Sequence, residues 1–171
     1  HTIKGQPHNM PMLKKMMDMG CTLIDYERIV DARGRRLVFF GRYAGLAGMV
    51  DTLWTFGRRL HAEHIDTPFN KMKQTIHYKD LADIKKHLAV VGKEIKTKGL
   101  PSSLTPLIIG VTGYGHVSIG AQEILDSLPV KEIHPKDIES VFQNPSNKEI
   151  YKVVFKEEHM VGPIKVGKTF D

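Results

Sequence analysis

The pattern with the most chemistry in it is Gly113-Tyr-Gly115-His-Val-Ser118, set directly after the apolar run Leu107-Ile-Ile-Gly-Val-Thr112. A dinucleotide-binding turn needs its first glycine for a tight bend and its second so that backbone can approach a pyrophosphate. The amides that open the following helix then face the phosphates, where the helix dipole also favours negative charge. The position usual for a third glycine holds Ser118, small enough for close packing of helix on strand, and Gly120-Ala121 keep the next turn thin. A strand-to-helix turn that binds nothing is the alternative reading of the same residues. Such sites also carry an acidic residue about 20 positions on, at the end of the second strand, which hydrogen-bonds the adenosine ribose. The corresponding position here is His134, with Lys131 and Lys136 close by. An imidazole does not repel a ribose 2′-phosphate as a carboxylate would.

A second match has to be set aside. Gly162-Pro-Ile-Lys-Val-Gly167-Lys168-Thr169 fits the phosphate-loop pattern GxxxxGK[ST] letter for letter. That loop works through a helix that follows it, and none is expected between Thr169 and Asp171; Glu157-Glu158-His159 is also a poor end for a buried strand. Nucleoside triphosphate hydrolysis is therefore not the reading. His1-Thr-Ile-Lys4 pairs a group that exchanges protons near neutral pH with a lysine that could hold a carboxylate or bias that histidine, although by residue type alone it is an ordinary polar terminus. There is no GxSxG elbow, and Cys21 has no histidine partner in the local pattern. A lone cysteine rules out an intramolecular disulfide framework and a multi-cysteine zinc site, and it favours a reducing compartment. His61 and His64 lack a surrounding HExxH pattern, so no metal is expected.

The elements that must position these residues follow from periodicity. Leu107–Thr112 suits a strand buried on both faces of a parallel sheet, the glycine turn opens a helix, and Val130–His134 and Glu149–Phe155 are further strands around a short helix at Pro135–Phe142. This βαβαβ order implies parallel crossovers. Upstream, Lys79–Lys98 is an amphipathic helix with Leu81, Ile84, Leu88, Val91 and Ile95 in period and Gly99 as its stop. Arg42–Leu60 is a long helix beside which Gly41, Gly45 and Gly48 recur, a spacing that means another backbone approaches closely. Near the start, His8–Met19 reads as a helix whose methionines pack in a core, followed by strands at Cys21–Asp25 and Arg36–Phe40 around a turn at Asp31–Gly34. The 171 residues carry a net charge of +6, but the basic doublets are scattered rather than gathered along a phosphate track, so no nucleic-acid partner is expected. No apolar run approaches the length of a membrane span, and no membrane association is expected.

Several stretches taken together carry a resemblance. His1-Thr-Ile-Lys-Gly-Gln6, Asn9-Met-Pro-Met-Leu13, Thr22-Leu-Ile-Asp-Tyr-Glu27 and Gly34-Arg-Arg-Leu37 occur in order. Phe40-Gly-Arg-Tyr-Ala-Gly-Leu-Ala-Gly-Met49, Thr67-Pro-Phe69 and Thr112-Gly-Tyr-Gly-His-Val-Ser-Ile-Gly-Ala-Gln-Glu-Ile124 follow. The chain resembles, from His1 to about residue 155, the lysine–ketoglutarate reductase portion of the bifunctional aminoadipic semialdehyde synthases. More distantly it is similar to lysine-forming saccharopine dehydrogenases and alanine dehydrogenase. The resemblance implies an α/β fold with a Rossmann-like parallel sheet forming part of a nucleotide-binding domain, joined by a long helix to a remnant of a preceding α/β domain. The expected division is 1–41 for the end of the first, catalytic domain, 42–60 for the interdomain helix, and 61–171 for the front of the dinucleotide domain. The family's chain starts before the histidine matching His1 and continues past this sequence, so a fragment is expected.

The implied reaction of the parent enzyme joins the ε-amine of lysine to the keto carbon of 2-oxoglutarate and reduces the imine with NADPH to saccharopine. His1 matches the family histidine that moves protons, and Lys4 a lysine that tunes the site or anchors an anionic substrate. Gly113, Gly115, His116 and Val117 match the pyrophosphate turn, with His116 standing where the commonest family form has Asn. The alternatives are a dinucleotide-binding module without turnover and a lysine-forming enzyme that uses NAD. Self-association is expected as well, through an exposed sheet edge or the glycine-lined face of the Arg42–Leu60 helix.

The charge around His134 and the resemblance agree on NADP, with NAD as the second choice. Titration of both reduced cofactors at low salt should give tighter binding of NADPH than of NADH, and His134→Asp should shrink or reverse the difference. Equal affinities would contradict the reading of the second strand.

Overall fold

The structure is a computed structural model in which residues 5–162 and residue 164 are described. His1 and Lys4 lie outside the described residues, as does most of the phosphate-loop match. The chain divides into two compact units, His1–Phe39 and Phe40–Asp171.

In the first unit, α1 (Met10–Asp18) follows a 3-10 turn at Pro7–Asn9 and stops at Gly20. Its methionines do not form a core: Met12 and Met17 are exposed, and α1 buries no residue. The two expected strands are absent from the described residues. Only a single bridge, Val30 with Arg36, closes around the turn at Asp31–Gly34. Strands need a ladder of partners, and neither short run has one. The turn itself is well tied, because the Asp31 carboxylate accepts the backbone N–H of Arg33 and of Arg35, each at 2.9 Å, and Arg35 Nε at 2.8 Å.

The second unit holds α2 (Gly41–Ala62), α3 (Leu81–Lys98), β1 (Leu107–Thr112), α4 (His116–Leu125), β2 (Val130–Ile133), α5 (Ile138–Val141), β3 (Ile150–Phe155) and α6 (Glu157–Met160). It is a mixed α/β arrangement around an all-parallel sheet of three strands, in the order β1-β3-β2. This agrees with a partial Rossmann-like domain. The order nonetheless departs from the usual doubly wound start, in which the second strand lies next to the glycine-bearing one. Here β3 separates them, pairing with β1 from Leu107↔Ile150 to Thr112↔Phe155 and with β2 from Val130↔Ile150 to Ile133↔Val153.

The core lies where the apolar stripes of the helices meet one face of this sheet. Ile84, Leu88, Val91 and Ile95 of α3 are buried at the expected helical spacing, with Leu46, Val50 and Leu53 of α2, Ile124 and Leu125 of α4, and Val111 and Ile150 of the sheet. Fully burying side chains of this size contributes about 1.5–3 kcal/mol each. The Asp80 side chain caps α3 by accepting the Asp83 N–H at 2.9 Å.

The closest contact in the unit is between α2 and α4. A Cβ on Gly45 would collide with the Val117 carbonyl oxygen and come within 2.8 Å of the Ala121 nitrogen. Reciprocally, a Cβ on Gly120 would collide with the Arg42 carbonyl. Each helix thus presents a glycine to the other's backbone, and no side chain fits between them. Gly41 and Gly45, on the face expected to meet a second copy of the chain, already face α4. Gly48, by contrast, has open space on its Cβ side.

The three positions should respond differently to alanine. Gly45→Ala and Gly120→Ala force the helices apart and should each cost about 1–3 kcal/mol. Gly48→Ala gains helix propensity and should be neutral or stabilising by up to about 1 kcal/mol. Urea denaturation of the three variants checks the ranking; equal effects would contradict the packing.

Candidate functional site

The glycine turn sits at the C-terminal end of β1 and leads directly into α4. Gly113 has φ +81°, the left-handed conformation that the tight bend requires, and its N–H donates to the Phe155 carbonyl at 2.8 Å. Gly115 is the N-terminal flanking residue of α4, with open space where a Cβ would be. Tyr114, Gly115, His116 and Val117 are exposed, while Ser118 is buried. Ser118 Oγ accepts the Gln122 side-chain N–H at 3.0 Å, one turn further along α4. The serine at the third-glycine position therefore packs inward and is bonded within its own helix. The N-terminus of α4 thus opens directly behind the turn, at the C-terminal end of β1.

A cleft of ≈ 570 Å³ opens at the C-terminal ends of β2 and β3, with Gln122 of α4 on its wall. Gln122, Glu132, His134, Lys156, Glu158 and His159 supply its polar lining. His134 and His159 stand ring against ring, edge to face, with centroids 5.2 Å apart. Each imidazole accepts a backbone N–H at Nδ1: His134 from Lys136 at 3.2 Å, and His159 from Lys156 at 3.1 Å. Sequence reasoning found His134 but not Lys156 or His159. Their signal was the Lys-Glu-Glu-His run after an apolar strand, read above only as a poor end for that strand.

Behind the cleft, Lys152 of β3 is 4% exposed and bonds Asp126 at 2.8 Å and Glu132 at 2.9 Å. Burial is the largest influence on its ammonium and lowers its pKa, but hydrogen bonds and charge from the two carboxylates outweigh it, so the pKa is raised above the ordinary lysine value. The bridge also removes Glu132 as a free negative charge in the cleft. On α4, Glu123 accepts Arg42 Nε at 2.9 Å and Lys85 Nζ at 2.7 Å, pinning α2 and α3 to the helix that carries the turn. Its carboxyl is held below the usual range by the hydrogen bond from Lys85 and then by that from Arg42.

A second cleft of ≈ 390 Å³ between Asp66 and Pro101 contains Lys71 and Lys98, both of which are already engaged by the Glu94 carboxylate. Among the described residues no group of three or more His, Cys, Asp or Glu could hold a metal ion, and no helix is long and apolar enough to cross a membrane.

No family model matches the chain. Individual proteins do. The chain is 40% identical over 182 aligned positions, its entire length, to the alpha-aminoadipic semialdehyde synthase of Arabidopsis thaliana. The chain is homologous to one segment of the alpha-aminoadipic semialdehyde synthases. Mitochondrial proteins of the same name from Bos taurus and Rattus norvegicus are 38% and 36% identical over 93% of the chain. The chain spans 17% of the length of these relatives.

The Lys152 bridge should show the asymmetry of buried charge. Lys152→Met keeps volume and should stay within about 1 kcal/mol of the parent, whereas Asp126→Asn with Glu132→Gln strands the ammonium and should cost roughly 2 kcal/mol. The raised lysine pKa also means that the bridge's contribution is fully present below pH 10.5 and is lost as pH rises through the still higher folded value. Urea denaturation of both variants, with the parent also measured at alkaline pH, checks each statement.

Proposed function

We propose that this chain carries the front of the nucleotide-binding domain of a lysine–ketoglutarate reductase, and that it binds NADPH. On this reading residues 1–41 end the catalytic domain, 42–60 form the helix between domains, and 61–171 begin the dinucleotide domain. The observation that carries the reading is the glycine turn. Gly113 in the left-handed conformation closes a parallel strand, Gly115 leaves room for close approach, and the ten-residue α4 begins directly behind them.

These residues fit a dinucleotide. The amides of His116, Val117 and Ser118 hold the pyrophosphate, and Ser118 stays out of the ligand's way because it is buried against its own helix. His134 contributes an uncharged imidazole rather than a carboxylate where the adenosine ribose is bound. When bound here, a nicotinamide would supply a hydride for reduction of the imine formed between lysine and 2-oxoglutarate. His1 moves protons as the carbinolamine forms and loses water, and Lys4 holds the substrate carboxylate or biases that histidine. Both assignments rest on the resemblance, since these two residues lie outside the described part of the chain.

The span of 17% relative to the homologues favours a second reading for the isolated polypeptide, namely cofactor binding without turnover. The two separate in one assay. The chain alone should bind NADPH, seen as a change in the cofactor's fluorescence, and should form no saccharopine from lysine and 2-oxoglutarate. Joined to the remaining reductase sequence it should gain turnover, which His1→Ala should remove. Gly115→Val should abolish cofactor binding in both forms. Undiminished NADPH binding by Gly115→Val would overturn the turn as the pyrophosphate site.

A further inference from the structure

We infer that the phosphate on the adenosine ribose is received at the end of β3, by Lys156 with His159 and His134, rather than at the end of β2 alone. The inference rests on the dinucleotide reading above and concerns where that ligand's second anionic group lies. It begins with the strand order. A ribose linked to a pyrophosphate at the glycine turn lies over the end of the strand next to β1, and that neighbour is ordinarily the second strand. Here it is β3. The Gly113 N–H bonds the Phe155 carbonyl, so the next residue after the strand-closing contact is Lys156. The end of β2 is one strand further away, about 9.5 Å from β1 at two strand spacings.

The chemistry of the cleft fits a phosphomonoester. Lys156 lines it, and no carboxylate among the described residues bonds its side chain. His134 and His159 each use Nδ1 to accept a backbone N–H, so the neutral ring carries its hydrogen on Nε2 and donates from there. One ammonium and two imidazole N–H groups thus share one cleft. Of the carboxylates in it, Glu132 is bonded to Lys152. Glu158 opposes the anion; it is 60% exposed and stands 3.7 Å from His159 Nε2, a place that a bound phosphate would contest.

The test is calorimetric titration of the 171-residue chain at low salt with NADPH, NADH, 2′-AMP, 5′-AMP and inorganic phosphate. NADPH should bind more tightly than NADH, and 2′-AMP more tightly than 5′-AMP or phosphate. Lys156→Gln should weaken NADPH and 2′-AMP by about tenfold or more and leave NADH within about twofold, as expected for losing a charge-assisted contact. Lys156→Arg should keep the preference. Glu158→Gln should tighten 2′-AMP, a result that stands even if Lys156→Gln fails to fold. Equal weakening of NADPH and NADH by Lys156→Gln, or no weakening of either, overturns the subsite while leaving the dinucleotide reading intact. Phosphate binding as tightly as 2′-AMP overturns the ribose assignment. Binding of neither dinucleotide by the parent chain overturns the subsite and the reading together.

Discussion

The contact of two backbones, α2 on α4, is the constraint on which the rest of the second unit depends. Gly45 lies against the Val117 carbonyl and Gly120 against that of Arg42, so the helix carrying the glycine turn is seated by main chain on main chain. Side chains can repack around a cavity, whereas a carbonyl meeting a Cβ has to be moved with its helix. The salt links of Glu123 to Arg42 and Lys85 lie on the same helix and add direction to the seat. Everything at the open end of the sheet inherits this arrangement. The turn at Gly113 is placed by β1 on one side and by α4 on the other, and its N–H bond to Phe155 ties it to the third strand.

That third strand gives the site its individual character. Inserted between β1 and β2, it brings the residues after Phe155 beside the turn and carries Lys152 beneath the cleft. A lysine in the middle strand of a parallel sheet would be costly without partners. Asp126 at the end of α4 and Glu132 on β2 supply them, and so join the two crossovers of the unit through one ammonium. The same bond withdraws Glu132 from the cleft. An internal pairing thereby sets the electrostatic balance of an external surface, leaving Lys156 opposed there by Glu158 alone among the carboxylates.

The elements of the second unit were legible because their signals are local. The stripe of α3, the apolar run of β1 and the glycine turn each declare themselves within a dozen residues. The glycines of α2 also announced a close neighbour, though not that the neighbour would be α4 of the same unit, nor that Gly48 would face open space. Strand order was not legible, since a βαβαβ pattern fixes the sequence of elements and leaves open where each crossover lands. Lys156 and His159 were missed for that reason: their interest comes from which strand ends meet. In the first unit, methionine periodicity and short β-rich runs suggested a core and two strands. Both need partners from elsewhere in the chain, and the described residues of that unit provide a single bridge. The catalytic assignments of His1 and Lys4 came from resemblance and stay at that level.

The central claim is that a dinucleotide lies across the ends of β1 and β3, with its pyrophosphate on the first turn of α4. Backbone amide shifts during an NADPH titration of the isotope-labelled chain test it most directly. The account predicts the largest changes at Gly113–Ser118 and Val154–His159, with His134 following and the residues around Lys71 and Lys98 unmoved. Changes centred on that second cleft, or saturable binding with a silent glycine turn, would contradict it.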